Sequence, residues 1–376
     1  MPALSKSPSI TREDLAVCRA LLRGGSRTFF AASLLLPARM RDPASALYAF
    51  CRLADDAVDL DATSPTAAIG RLRERLDRAY AGRPLPVPAD RAFAATVSRF
   101  HIPRTLPEAL IEGFEWDVAG RRYETISDLN TYGARVAGSV GAMMTLLMGR
   151  DSPVVVARAC ELGMAMQLSN IARDVGEDAK VGRLYLPRQW LREAGIDPDA
   201  WLAQPVFTPA LGGVVRRLLD EADRLYALSS TGIAELPLRC RPGIRAARFL
   251  YAEIGHQVER CAFDSVSGRA VVPPLRKAQV LIRSLTARDT LRGTTPAVQA
   301  EAGFLIDALS SRQIVRSPQP VGGRIAWLVD LFERLERQDR LRPSQMPGDA
   351  GYRSRSLRGR CSQGVRPAAQ LRKLEC

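Results

Sequence analysis

The apolar positions of this chain recur at helical spacing almost from end to end, and no run of alternating apolar and polar residues calls for a strand. Thr11 stands where a first helix, T-R-E-D-L-A-V-C-R-A-L-L-R, should begin, with Asp14 at the reciprocal capping position and Gly24-Gly25 as its stop. A short apolar segment, Ser26 to Leu36, follows, and Pro37 breaks it. The next helix is predicted to open near Asp42-Pro43, with proline in its first turn. Ser64-Pro65 begins the amphipathic stretch T-A-A-I-G-R-L-R-E-R-L-D-R-A-Y, and G-R-P-L-P-V-P-A-D reads as a loop. Further helices are predicted over about Arg91 to Phe100, Pro107 to Ala119, Asp128 to Met148, Pro153 to Glu177, Pro209 to Ser229, Ile244 to Val266 and Pro274 to Leu291. The pattern weakens from Arg292 to Val321 and returns as an amphipathic helix from Gly322 to Arg340. The reading is an all-α domain over 1–340.

Two of these helices carry polar stripes. In Y-A-F-C-R-L-A-D-D-A-V-D, Tyr48, Arg52, Asp55 and Asp59 fall at i, i+4, i+7 and i+11. In Q-L-S-N-I-A-R-D-V-G-E-D, Gln167, Asn170, Asp174 and Asp178 fall at i, i+3, i+7 and i+11. Both spacings align the polar groups on one helical face among residues otherwise fit for burial. A single D-x-x-x-D is commonplace on a solvated helix. Two such stripes in apolar helices, each with an arginine (Arg52, Arg173), are costly to bury unless something neutralises them.

Oxygen ligands at this spacing suit a hard divalent cation. Facing stripes would hold a metal–diphosphate cluster, with Arg52 and Arg173 binding phosphate oxygens through their planar forks. Ionising an allylic diphosphate expels a highly charged leaving group, so such a cluster has a use. The cation left behind needs a dry cavity, which Phe29, Phe30, Val136, Ala137 and Met164 are placed to line. Clustered acids without their metal predict raised carboxylate pKa values. Small residues in Gly138-Ser139-Val140-Gly141 allow close helix contact or leave room for a bulky chain. Lys180, Arg183 and Arg188 form either a basic lid or a solvated loop.

Composition narrows the picture. The 376 residues carry a formal charge of +14, of which the segment from 341 to 376 holds +6, with eight Lys/Arg against Asp349 and Glu375. That segment is rich in Arg, Ser, Gly and Pro, a composition that predicts a disordered basic tail. Such an excess suits an anionic substrate, an anionic membrane or nucleic acid, but no nucleic-acid module or aromatic interleaving accompanies it, so no nucleic-acid partner is expected. Seven scattered cysteines without C-x-x-C and two distant histidines argue against a disulfide framework or a zinc site. The first residues lack an apolar signal region, and no apolar run reaches the roughly 20 residues needed to span a bilayer. A cytoplasmic protein, at most peripheral to the inner face of a membrane, is expected.

The longer motifs resemble the squalene/phytoene synthase family of head-to-head prenyl transferases, and within it the phytoene branch. The matching text is S-R-T-F-F-A-A-S-L-L-L-P (Ser26 to Pro37), L-Y-A-F-C-R-L-A-D-D-A-V-D (Leu47 to Asp59), Y-G-A-R-V-A-G-S-V-G (Tyr132 to Gly141), Q-L-S-N-I-A-R-D-V-G-E-D-A-K-V-G-R-L-Y-L-P (Gln167 to Pro187) and S-G-R-A-V-V-P (Ser267 to Pro273). The resemblance covers roughly residues 15 to 285. It implies an isoprenoid-synthase-type helical bundle around a central cavity. It implies two or three Mg²⁺ or Mn²⁺ ions with diphosphate, and no NADPH. It implies condensation of two geranylgeranyl diphosphates, through prephytoene diphosphate, to phytoene, with a desaturase downstream. Carried over, Asp55 and Asp59 correspond to the first metal pair, and Asn170, Asp174 and Asp178 to the second set. Ser26, Tyr48, Arg52 and Arg269 correspond to diphosphate contacts, and Phe29, Tyr132, Gln167 and Tyr251 to cavity positions. Where the family often reads Y-C-Y this chain reads Y-G-A, so Ala134 replaces a second tyrosine.

Three other readings share features with this one. A squalene or presqualene diphosphate synthase acting on farnesyl diphosphate would use the same motifs. A head-to-tail prenyl transferase usually carries D-D-x-x-D as its second motif. A catalytically inactive relative serving complex assembly should lose the aspartates, and here all are present.

Overall fold

A computed structural model describes residues 10–60, 65–287 and 297–310; the side chains of Arg27, residues 55–60, Pro65 and Ser310 are outside the described set. The chain divides into two units, Met1–Arg312 with Gln370–Cys376, and Gln313–Ala369, and every described residue lies in the first. The predicted helix from Gly322 to Arg340, the division at 340 and the basic tail lie outside the described residues.

Fifteen α-helices and no strand occur among the described residues. They are α1 (Arg12–Gly25), α2 (Arg27–Leu34), α3 (Ala38–Leu60), α4 (Pro65–Tyr80), α5 (Pro88–Phe100), α6 (Thr105–Val118), α7 (Ile126–Gly133), α8 (Ser139–Leu147), α9 (Pro153–Lys180), α10 (Arg188–Glu193), α11 (Pro198–Ala203), α12 (Pro209–Glu235), α13 (Arg241–Arg260), α14 (Pro274–Thr286) and α15 (Gly303–Ser310). The capping box of α1 forms as the sequence predicts: Thr11 Oγ1 accepts from Asp14 N, and the Asp14 carboxylate accepts from Thr11 N, both at 3.1 Å. The same motif, Thr125 with Asp128, opens α7. Proline stands at the start of α5, α9, α11, α12, α13 and α14, where its missing N–H costs no helical bond.

Helix α9 is the axis. It runs 28 residues and packs against α12 most extensively, and also against α8 and α13. Twenty-two of its residues are buried, so it is enclosed nearly all round, its polar stripe included. Phe50 of α3 stacks on Phe93 of α5 at 3.9 Å between ring centres. Buried Asp90 of α5 takes the Arg75 guanidinium of α4, which ties these helices together.

Several boundaries differ from the sequence expectation, among them the end of α12, which runs to Glu235 rather than Ser229, and the start of α5, at Pro88 rather than Arg91. Helix α3 begins at Ala38, and Pro43 lies inside it. Near that interruption, Arg41 Nε donates to Leu36 O at 2.9 Å and Ser45 Oγ to Arg41 O at 2.8 Å. The single helix predicted from Asp128 to Met148 is divided by a π-helical turn, Ala134–Gly138. Ser139 N bonds Ala134 O, five residues back, and Ser139 Oγ donates to Arg135 O at 2.6 Å. Helix α13 stops at Arg260 rather than continuing to Val266, because Ala262 and Phe263 take left-handed φ angles of 54° and 61°. Helix α14 ends at Thr286, short of Leu291.

Candidate active site

Helix α9 presents Gln167, Asn170, Arg173 and Asp174, all buried, and half-buried Asp178 one turn on. Asp174 is the centre of a charged knot. Its carboxylate accepts from Arg173 Nε at 2.9 Å and Nη2 at 2.5 Å, and from Arg269 Nε at 2.6 Å. Arg269 arrives from the loop between α13 and α14, 95 residues away in sequence. What brings it there is Gly176. A Cβ at that position would stand 2.6 Å from Val266 O, and the Gly176 N–H donates to Ser265 O at 2.9 Å. The loop is further fixed by Asp264 Oδ1, which accepts from Val266 N and Ser267 N at 3.0 and 2.9 Å.

This arrangement corrects the expected direction of the Asp174 pKa. Burial does oppose ionisation, but hydrogen bonds and charge from Arg173 and Arg269 outweigh it and hold the carboxyl below its usual range. Two guanidiniums in direct contact, rather than neighbouring acids, set the direction.

On α3, Tyr48 and Arg52 are buried. Asp55 and Asp59 follow on the same helix, but their side chains lie outside the described residues. No group of three or more His, Cys, Asp or Glu that could hold a metal forms among the described residues. The Tyr48 ring stacks on Phe29 at 5.7 Å, and its hydroxyl lies over Gly25, where a side chain would collide with it. Ser26 is buried, and its Oγ caps α2 by accepting from Phe29 N at 3.1 Å. Tyr251 is buried on α13.

Tyr132 belongs to a tyrosine cluster that the motifs alone do not show. Its hydroxyl donates to Asp117 Oδ2 at 2.8 Å, and Tyr185 donates to Asp117 Oδ1 at 2.6 Å. The three rings of Tyr123, Tyr132 and Tyr185 lie 5.2 to 6.0 Å apart. Burial, with the charges of Asp117 and Asp178, keeps the Tyr132 phenol protonated well above its ordinary range.

An apolar cavity with about 960 Å³ of free space, part of it open to solvent, runs along α9 from Met166, some two turns from Asp174, to Val155. Phe29, Tyr48 and Ala137 line it. Phe30, Val136, Met164, Tyr132, Gln167 and Tyr251 are not among its lining residues. Gly141 and Gly163 let α8 and the π turn approach α9 closely: a Cβ on Gly141 would overlap Ala159 O, and one on Gly163 would overlap Ala137 O. Small residues here therefore serve helix contact. Lys180 pairs with Glu177 and Arg188 with Asp199, on the surface.

Comparison with known proteins places this geometry. The squalene/phytoene synthase family model matches residues 22–276. The chain belongs to the squalene/phytoene synthase family. It is 51% identical to a phytoene synthase of Rhodobacter capsulatus over 340 residues, covering 88% of this chain and 98% of that protein. It is 43% identical to a 15-cis-phytoene synthase of a Paracoccus species, covering 72% and 90%. A dehydrosqualene synthase crystal structure with bound ligand superposes with a TM-score of 0.68 at 30% identity, covering 73% of this chain and 96% of that one. The fold is thus the all-α isoprenoid-synthase bundle that the motifs imply. Family members generally use divalent metal ions.

Proposed function

We propose that this chain is a phytoene synthase, a prenyltransferase of carotenoid biosynthesis that joins two geranylgeranyl diphosphates head to head through prephytoene diphosphate. The observation that carries the reading is that one helix, α9, carries both the Arg173–Asp174–Arg269 knot and, two turns earlier, one wall of an apolar cavity. The relatives at 43% and 51% identity over most of the chain support it. Arg173 and Arg269 hold Asp174 ionised, and with Arg52 they supply guanidinium forks for diphosphate oxygens. The apolar wall keeps water from an allylic cation, and the Phe29 and Tyr48 ring faces favour its charge.

The donor set Asn170, Asp174 and Asp178 offers only oxygen, which fits Mg²⁺ or Mn²⁺, and Asp55 and Asp59 would complete it from α3. When bound there, such ions would supply positive charge to offset that of the departing diphosphate. No helix among the described residues is long and apolar enough to cross a membrane. We place the enzyme at a membrane's inner face at most, through its basic tail, delivering phytoene to a desaturase. Incubation with the C20 diphosphate and Mg²⁺, with and without NADPH, tests the reading: a C40 hydrocarbon without NADPH supports it. Production of C30 hydrocarbon alone from farnesyl diphosphate would assign the chain to the squalene side of the family.

A further inference from the structure

One charged side chain lines the cavity, and the chemistry at its mouth does not use it. Arg158 of α9 is buried, and its Nη1 donates to Glu161 Oε2, also buried, at 2.8 Å. Burial pushes the Glu161 carboxyl up to about 7, against the pull of Arg158. A buried ion pair of this kind contributes little net stability, since apolar residues of similar volume usually serve as well. Stability alone does not account for its place in an apolar wall.

Its position does. The cavity residues of α9 run from Met166, one turn from Asn170, down to Val155. Met148, at the end of α8, lines the cavity near the hairpin that joins α8 to α9. Arg158 and Val155 are therefore at the end farthest from Asp174. At 1.5 Å per residue, sixteen residues of helix place Arg158 about 24 Å from Asp174 along α9. Extended chains advance about 1.2 Å per bond, since three bonds span 3.3–3.6 Å. The fifteen bonds between main-chain carbons of a C20 prenyl group then need about 18 Å, and the nineteen of a C25 group about 23 Å. With a diphosphate at the mouth, the first fits above Arg158 and the second meets it.

Gly232 of α12 locks the stem. A Cβ there would overlap Arg158 Cβ and stand 2.9 Å from its Cγ. Arg158 is thus held between α12 on one side and Glu161 on its own helix, with Nη2 also reaching Ala297 O at 3.4 Å.

We propose that Arg158, fixed by Glu161 and Gly232, is the floor that sets the upper limit of prenyl chain length. The proposal rests on the phytoene synthase reading for its substrate class. Its test is a ratio. Wild type and variants are assayed with C15, C20 and C25 diphosphates, each alone, and folding is followed by thermal melting. The double variant Arg158→Ala/Glu161→Gln deepens the floor without stranding a buried charge, so kcat/KM for C25 relative to C20 should rise about tenfold or more, in the range one apolar group is worth in a pocket. Gly232→Ala pushes the Arg158 stem into the cavity, so C20 relative to C15 should fall by a similar factor. If the double variant does not fold, Gly232→Ala decides. Unchanged ratios in the folded variants overturn the floor, since a purely structural role would lower all three substrates together. Failure of wild type to turn over C20 at all would instead overturn the phytoene synthase reading, and the C15 and C25 ratios would still report on the floor.

Discussion

Replacing Gly176 by alanine sets two effects against each other. Inside a helix the change should stabilise by about 1 kcal/mol through propensity alone. Here the added Cβ would stand 2.6 Å from Val266 O, 2.8 Å from Val266 Cα and 3.0 Å from Ser265 O. All three are backbone atoms, so the loop itself must move. Overpacking of this kind costs about 1–3 kcal/mol. The Gly176–Ser265 bond adds about 1 kcal/mol, and the loosened Arg269–Asp174 contact about 1.5–3 kcal/mol. The losses are coupled and exceed the propensity gain, which leaves a net destabilisation of about 2–4 kcal/mol. Thermal melting should fall by roughly 3–6 °C. Because Arg269 is carried off the site, kcat/KM should drop about 10- to 100-fold, the scale of a misplaced binding group. A variant that melts above wild type with unchanged kcat/KM would show that propensity wins and that the loop does not position Arg269.

Asp174→Asn should lower turnover on the order of 10²-fold or more and leave Arg173 and Arg269 poorly compensated; full turnover would sink the two-stripe account. EDTA should abolish activity and Mg²⁺ or Mn²⁺ restore it, while activity that survives exhaustive chelation would remove the metal from the reaction. Glu253 on α13 accepts from Arg260 at 2.5 Å and from Arg276 of α14 at 2.8 Å. Burial opposes its ionisation, yet the two guanidiniums hold its pKa below the ordinary 4.5. Its contribution is therefore present above about pH 4.5 and lost as pH falls through the lower folded value. Urea titrations of wild type and Glu253→Gln should differ at pH 7 and converge in acid; a gap that widens in acid would reverse the sign.

Local signals carried the helical architecture. Thr11 with Asp14 and Pro153 at the head of α9 are decided within one turn, so their neighbours suffice to read them. The polar stripe of α9 was legible for the same reason, since spacing alone aligns Asn170, Asp174 and Asp178. What escaped depends on distant partners. Nothing near Ala262 and Phe263 announces left-handed backbone, because neither is glycine or asparagine; their N–H groups turn back to Glu259 O and Val258 O and close the end of α13. Asp117, near the end of α6, gains its role only from Tyr132 and Tyr185, 15 and 68 residues away in sequence. Gly176 carried a visible hint: a glycine between two aspartates in a long helix is costly and asks for a close approach. The direction of the Asp174 pKa is not legible at the motif, because Arg269 lies 95 residues away.

The central claim is that this charged knot and cavity join two C20 diphosphates into a C40 hydrocarbon. Mass analysis of the extracted hydrocarbon tests it most directly, with purified chain, Mg²⁺ and either the C20 or the C15 diphosphate, NADPH omitted. The account predicts a C40 product of phytoene mass from the C20 substrate. A C30 hydrocarbon from the C15 substrate with none from C20, or C40 hydrocarbon released only when NADPH is added, would contradict it.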